Sequence, residues 1–109
     1  MKFIISENKM VDVVKKYIDS KDYKKLDDID KIYFYQEGND IADIVFDCYD
    51  GFTELNFQFV DDIVNFFTID RNTAILYIEN WVEDKLEVGK VEAWSPIDYH
   101  RSELFLPEH

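Results

Sequence analysis

Few side chains in this sequence have the type and spacing that catalysis requires, and the thiol of Cys48 is the most reactive of them. A catalytic thiol needs a nearby base and a positive environment to become a thiolate. Cys48 lies between Asp47 and Asp50, whose charges would raise a thiol pKa, and histidine occurs only at positions 100 and 109. Because Cys48 alternates with Ile44 and Phe46, it falls on an apolar face, and we expect it to be a small buried core residue.

Metal-binding patterns are also incomplete. One cysteine and two histidines are too few for zinc without carboxylates, and no pair of them has ligand spacing. The segment DCYDG resembles the start of a calcium loop. Counted from Asp47, however, the third and fifth positions are Tyr49 and Gly51, where that loop needs acids. We therefore predict no metal site.

Carboxylate pairs and a short histidine motif give no better support for an enzyme. Neighbours such as Asp61 and Asp62 point apart on a strand or helix and sit at predicted turns, so a solvated surface explains them. His100 shares a strand face with Asp98 and Ser102, whereas triads are assembled in space from separate segments. No glycine-rich phosphate loop occurs. We predict a protein that is not an enzyme and that uses no cofactor.

The distribution of charge predicts the type of partner. The chain has 109 residues and a net charge of −12. Residues 1–31 carry eight basic and seven acidic groups, whereas residues 32–109 carry four basic and seventeen acidic groups. An acidic body repels nucleic acid and anionic membranes and attracts basic proteins. A general need for solubility would explain an acidic surface equally well.

Acids and aromatic residues are interleaved along the acidic part, as in FDCYDGF, FQFVDD, YIENWVED and EAWSPIDY. Lysines and arginines of a basic partner could meet the carboxylates while the rings fill pockets between them. An alternation of core and surface residues would produce the same interleaving. We predict partner contacts at two patches. The first patch comprises Asp47, Tyr49, Asp50, Glu54, Asp61 and Asp62, and the second comprises Trp81, Glu83 and Asp84.

The chain is expected to form one domain over residues 1–109. A short strand at KFII and an N-cap at Ser6 precede an apolar stripe with 3/4 spacing that predicts a helix over residues 7–19. A weaker helical period starts at Ser20 and ends around Ile29. The segment KIYFYQ predicts a strand over residues 31–36.

Residues 43–62 contain the clearest alternation of apolar and polar side chains. Asp50 and Gly51 predict a two-residue turn between two strands. The resulting hairpin would pack one face on a core and leave the other, with Val45 and Tyr49, polar and wet. The residues predicted to point inward are Ile44, Phe46, Cys48, Leu55, Phe57 and Phe59.

Two later segments are ambiguous. Residues 60–67 and 73–82 fit a helix and a strand alike, although the β-branched and aromatic content favours a strand for 73–82. KLEVGKVEAW predicts a strand with a bulge at Gly89, and RSELFLP a last short strand. The sum is an α+β fold. It would have a mostly antiparallel sheet of about five strands, an N-terminal helix, and one or two short helices packed on one face.

The general character of the chain suggests a class of protein. No apolar run approaches the roughly 20 residues of a spanning helix, and a single thiol suits a reducing compartment, so we expect a cytoplasmic protein without membrane contact. In size, charge, aromatic content and lack of catalytic residues, the whole chain resembles bacterial toxin-immunity proteins, the small acidic antidotes to nuclease-type toxins. The resemblance implies an inhibitor that occludes the active cleft of a basic toxin. Acidic DNA mimics are similar in character.

Two other functions stay open at this point. A small enzyme or ligand-binding domain with an aromatic pocket would show a concave cavity and a buried carboxylate with a shifted pKa. A structural subunit would bury its aromatic surface by self-association. The sequence does not decide between a monomer and a dimer.

Overall fold

The computed structural model of the protein describes residues 7–95 and 104–107. In these ranges the elements are α1 (Glu7–Ser20), β1 (Lys24–Asp28), β2 (Lys31–Tyr35), β3 (Ile44–Asp47), β4 (Phe52–Leu55), α2 (Phe57–Phe67), α3 (Arg71–Leu86) and β5 (Glu92–Trp94). The strands form one sheet in the order β1-β2-β3-β4-β5, antiparallel except for the parallel pair β4–β5. The predicted α+β class, with a mostly antiparallel sheet and an N-terminal helix, is confirmed.

The core lies between the helices and one face of the sheet, which we call the inner face. Ile18 of α1, Ile63 of α2 and Ile78 of α3 are fully buried in one cluster with Ile44 and Leu55 of the sheet. Successive side chains on a strand point to opposite faces, so the residues between these point to the other, outer face. The helical stripe of α1 confirms the helix predicted over residues 7–19.

Residues 24–28 form an edge strand, and the weak helix predicted after Ser20 is wrong. The whole of β1 pairs with β2, from Lys24 opposite Tyr35 to Asp28 opposite Lys31. This pairing satisfies the backbone, and the charged sequence KKLDD suits a sheet edge, where charges discourage further pairing. The strand predicted over residues 31–36 is confirmed as β2.

The connection between β3 and β4 is longer than the predicted two-residue turn. The backbone N–H of Gly51 donates to the Asp47 carbonyl at 2.9 Å, and that of Tyr49 donates to Asp47 Oδ1 at 2.8 Å. Within this turn only Gly51 has a positive φ, of 76°, whereas the predicted turn type needs two such residues. Because the Asp47 side chain accepts the hydrogen bond from the Tyr49 N–H, the turn begins directly after Asp47. Cys48 therefore lies in the turn and is exposed rather than buried.

Strand β4 ends at Leu55, so the predicted strand through Phe59 is wrong. Asn56 caps α2, and its side-chain oxygen accepts from the Gln58 N–H at 3.0 Å. Beyond this cap, Phe59, Val60 and Ile63 are buried at helical spacing. The alternation of apolar residues from Leu55 to Phe59 therefore runs from the end of β4 into the start of α2. The Asn56 cap fixes the point at which the strand ends and the helix begins.

Residues 71–86 form a helix, against the preference for a strand at 73–82. Asp70 caps it by accepting the Thr73 N–H at 2.7 Å. Its buried residues have 3/4 spacing and are Ala74, Tyr77, Ile78, Trp81 and Val82. The strand predicted at KLEVGKVEAW is confirmed only over Glu92–Trp94, because the lysine and leucine at its start belong to the last turn of α3.

The remaining predicted elements lie at the ends of the chain. KFII and Ser6, together with Asp98, His100 and Ser102, fall outside the described residues. Of the predicted last strand, Phe105 forms an isolated antiparallel bridge with Ile41.

The β5 edge of the sheet is closed by two carboxylates of α3. The backbone N–H of Ala93 donates to Glu79 Oε2 at 2.6 Å, and that of Val91 donates to Glu83 Oε2 at 2.9 Å. Glu79 and Glu83 stand four residues apart, on the same face of the helix. They occupy the donors that an added strand would need, so this edge is protected against further pairing.

We expect Glu79→Ala to lower the free energy of unfolding by about 1–2 kcal/mol, because the Ala93 N–H loses its acceptor. Glu79→Gln keeps an acceptor oxygen and should cost less. Burial raises the pKa of Glu79 above its ordinary 4.5, with the charges of Glu83 and Glu92 adding to the effect. For an acid with a raised native pKa, the stability contribution is full below the unfolded pKa and is lost as pH rises through the native pKa.

The Gln variant should therefore lose less stability than the wild type when pH is raised from 4.5 to 7. Urea unfolding at the two pH values measures this difference. Equal losses of stability in the Ala and Gln variants would contradict the role assigned to the Glu79 acceptor.

Candidate functional site

The outer face of the sheet is the first candidate surface. None of the three described helices packs on it, because the residues that they bury all belong to the core on the inner face. Val45, in the central strand, is only 6% exposed, although the alternation predicted a wet position. Its register partners on either side are the larger residues Tyr33 and Glu54, which flank it on the same face. Towards β4 and β5 this face opens to solvent.

Aromatic rings and carboxylates alternate on the β4–β5 part of the outer face. The register pairs Phe52 with Glu92 and Glu54 with Trp94, so each ring lies beside a carboxylate of the neighbouring strand. Paired strands are about 4.8 Å apart, and these four side chains therefore form one continuous surface. Phe52 is 38% exposed and Trp94 is 49% exposed, which is high for large apolar side chains.

The β3–β4 turn extends this surface at one end of the sheet. Tyr49 is 91% exposed, and Asp50 beside it is exposed as well. Asp50 Oδ1 accepts the Phe52 N–H at 2.8 Å, as Asp47 does for Tyr49, so both carboxylates hold the turn as well as charging it. We call the combined surface the acidic–aromatic face. It consists of Asp47, Tyr49, Asp50, Phe52, Glu54, Glu92 and Trp94.

The predicted first patch is divided by the fold. Asp47, Tyr49, Asp50 and Glu54 lie on the acidic–aromatic face. Asp61 and Asp62 lie on α2, which packs on the opposite side of the sheet. Asp62 Oδ1 also accepts the Gln58 Nε2 donor at 2.9 Å.

Trp81 is not a surface anchor, which corrects the predicted second patch. It is 3% exposed, and its ring packs against Phe34 and Tyr23 at centroid distances of 5.1 and 5.9 Å. Its Nε1 donates to Asp19 Oδ1 at 2.9 Å, and this hydrogen bond, together with Lys85, lowers the Asp19 pKa. Trp81 was placed on the surface because residues 73–82 were predicted to be a strand. In the helix that they form, the 3/4 spacing points Trp81 toward the core.

The other residues of the second patch have partners within the protein. Glu83 accepts the Val91 N–H, as described for the sheet edge. Asp84 forms an ion pair with Lys15 of α1 at 2.5 Å, with its own side chain 65% exposed. These carboxylates join α3 to the residue before β5 and to α1, and Trp81 is not exposed beside them.

Sequence reasoning missed Phe52, Glu92 and Trp94 as members of the site. The segment EAW does show the alternation of a strand, with Glu92 and Trp94 on one face. Its neighbour in the sheet could not be read from the sequence, because a parallel pairing with β4 requires the α2–α3 crossover between them.

Cys48 sits in the acidic turn. Its backbone N–H donates to the Asp30 carbonyl at 2.7 Å, which ties the β3–β4 turn to the β1–β2 turn. Partial burial, and then the charges of Asp27, Asp47 and Asp30, raise the pKa of the thiol. The thiol is therefore accessible but held largely protonated, which argues against a nucleophile.

We expect native Cys48 to react with a water-soluble disulfide reagent without unfolding of the protein. The rate at pH 7 should be lower than that of an unstructured peptide thiol, because the raised pKa leaves less thiolate. Stopped-flow absorbance compares the native protein with the urea-unfolded chain. A native rate limited by global unfolding would show that the thiol is buried after all.

A second candidate, a cleft of about 570 Å³, lies at the opposite end of β3 from the acidic turn. Asp43, partly buried, is central to its hydrogen bonding. Tyr23 Oη donates to Asp43 Oδ2 at 2.6 Å, and Asn56 Nδ2 donates to Oδ1 at 3.2 Å. Burial raises the Asp43 pKa, although these hydrogen bonds and Lys21 oppose the shift. Burial also raises the pKa of Tyr23.

Two absences apply to the described part of the chain. No group of three or more His, Cys, Asp or Glu residues there is arranged to hold a metal ion. None of its helices combines the length and the apolar character that crossing a membrane would require. Comparisons of the chain with protein-family models, curated proteins and solved structures find no match.

Proposed function

We propose that this protein is a non-enzymatic binding protein that neutralises a basic partner, a nuclease-type bacterial toxin, by covering its active cleft. The observation that carries the proposal is the acidic–aromatic face. Exposed Phe52 and Trp94 alternate there with the carboxylates of Glu92 and Glu54. A few aromatic or arginine anchors supply most of the affinity of a protein interface. Its charges contribute mainly to specificity and to the rate of association.

The chemistry of the face suits the active site of a nuclease. Such a site collects lysines and arginines to hold phosphates. The face presents Asp47, Asp50, Glu54 and Glu92. Two bases border it, Lys90 near the turn and Lys31 opposite Asp47. Carboxylates on a rigid sheet can take the place of phosphates, while the rings supply apolar contact that a nucleic acid backbone lacks. The net charge of −12 would steer a basic partner from a distance.

Self-association through the same face is the weaker proposal. A two-fold dimer places one surface against its own copy. The carboxylates of Asp47, Asp50, Glu54 and Glu92 would then face like charges, which disfavours the complex. The ligand-binding alternative has its own supporting observation, the cleft at Asp43. Its lining is more polar than that of the expected aromatic pocket, and none of its residues belongs to the acidic–aromatic face.

Neutralisation can be measured in cells. We expect the reading frame beside this gene to encode a basic protein that arrests growth when expressed alone. Co-expression of this protein should restore growth, and the purified pair should form a complex whose association rate falls steeply as salt rises. A neighbour that is harmless, or arrest that co-expression does not relieve, would overturn the immunity role.

Two substitutions test the surface. Trp94→Ala should weaken the complex about tenfold or more, through faster dissociation, because an exposed anchor is lost. Glu92→Gln should chiefly slow association. Surface plasmon resonance with the neighbour-encoded protein resolves both rates.

Matched controls on the helical side are Phe66→Ala, which removes a ring that is 68% exposed on α2, and Asp12→Asn on α1. Both controls should bind within about twofold of the wild type. If the control variants weakened binding as much as the variants of the acidic–aromatic face do, the proposed surface would be wrong.

A further inference from the structure

The cleft at Asp43 has walls that the backbone holds in place. Ala42 N–H donates to the Leu104 carbonyl at 2.8 Å, and Leu106 N–H donates to the Asp40 carbonyl at 2.9 Å. Asn56 N–H donates to the Asp43 carbonyl at 2.8 Å, fixing the start of α2 against β3. The lining therefore combines four parts of the fold. These parts are the α1–β1 turn at Lys21, the β2–β3 loop, the first turns of α2, and the segment at Phe105.

The residues that line the cleft carry a net negative charge. Asp40, Asp43 and Asp62 contribute carboxylates, and Lys21 is the basic residue among the lining side chains. The Lys21 ammonium lies over the Tyr17 ring, 5.1 Å from its centroid. The ion pairs that join described residues, Lys15–Asp84 and Lys85–Asp19, leave the cleft carboxylates out. The donors that hold Asp43 in place, Tyr23 and Asn56, are neutral.

The mouth of the cleft adds an apolar surface. Phe105 is 57% exposed and belongs to the lining. An aromatic face attracts an organic cation and packs against its alkyl portion. Four carboxamides also line the cleft, and each can both donate and accept hydrogen bonds. They are Gln36, Asn39, Asn56 and Gln58.

We propose that this cleft binds a small organic cation, with its amine or guanidinium head between Asp43 and Asp62 and its alkyl portion against Phe105. The volume of about 570 Å³ falls within the usual range for sites of small molecules. The charge of the lining disfavours anions, and its many polar groups disfavour a purely apolar ligand. This site is separate from the acidic–aromatic face, because none of the residues of that face lines the cleft.

Three probes with the same butyl chain separate the contribution of the cationic head from that of the alkyl portion. Butylguanidine and butylamine carry the two candidate heads, and butanol is the neutral control. Titration of the isotope-labelled full chain by NMR should show both cations shifting the amide signals of residues 36–43 and 56–62, whereas butanol leaves them in place. The better of the two cations identifies the preferred head.

Variants then test the named contacts with the better cation. Asp43→Asn and Asp62→Asn should each weaken its binding about tenfold, and Phe105→Ala should weaken it severalfold. Asp62→Asn keeps the proposal testable if Asp43→Asn disturbs the fold, because the Asp62 side chain bonds to Gln58 of its own helix, whereas Asp43 joins separate segments. Asp50→Asn removes the same charge from the distant turn and should leave binding unchanged.

Three results would overturn the proposal. These are no shift with either cation, equal shifts with butanol, and equal weakening by Asp50→Asn, the last of which would indicate a general effect of net charge. Because Asp50 belongs to the acidic–aromatic face, the same variant separates the two sites. If Asp50→Asn weakens binding of the toxin but not of the better cation, the effect concerns the acidic–aromatic face alone.

Discussion

Burial of the inner face of the sheet under three helices fixes where every other strand side chain must point, because neighbouring residues on a strand alternate between faces. Leu55 and Thr53 are fully buried on β4, so Phe52 and Glu54 must project outward. The register places Glu92 and Trp94 on the same face, and Trp94, at the sheet edge, also borders a groove lined by α3. The acidic–aromatic face is thus a direct consequence of the way the core is packed.

Asp43 holds several segments together at the cleft. Its backbone pairs with Phe34 and Asn56, and its side chain binds Tyr23 and Asn56, so it joins β2, the residue before β1 and the start of α2. Burial disfavours the ionised form of Asp43, and this effect is opposed by the charge of Lys21 and by hydrogen bonds from the neutral donors Tyr23 and Asn56. The proposed organic cation would favour the ionised form further. The two proposed sites thus differ in kind, one on an open sheet face and one at a partly buried carboxylate.

The extent to which the sequence predicted this fold depended on how local each signal was. The stripe of α1 and the strand KIYFY are strong local patterns, and both were correctly predicted. The β1 edge strand depends on its pairing with β2, and the start of α2 depends on the Asn56 cap, so periodicity alone misled at both. The parallel pairing of β4 with β5 joins segments separated by two helices, and no local pattern encodes it.

The residues of the acidic–aromatic face were predicted only in part, again because some of the signals are local and others are not. The acids of the β3–β4 turn were found because a turn exposes its side chains wherever the fold places it. Trp81 was misassigned because the choice between helix and strand decides which way a ring points, and Trp94 was missed because its neighbours on the face come from another strand. Residue type and charge can be read locally, whereas the gathering of residues into a surface requires the tertiary fold.

The two tryptophans allow the proposed binding surface to be tested in one spectrum. Trp81 is buried, with its indole N–H bonded to Asp19, whereas Trp94 lies exposed on the acidic–aromatic face. Each indole gives its own signal in a ¹⁵N-labelled sample titrated with the neighbour-encoded basic protein. The Trp94 indole signal should shift or broaden on binding, whereas the Trp81 signal should stay in place. Formation of a complex with the Trp94 indole unchanged would contradict the proposed surface.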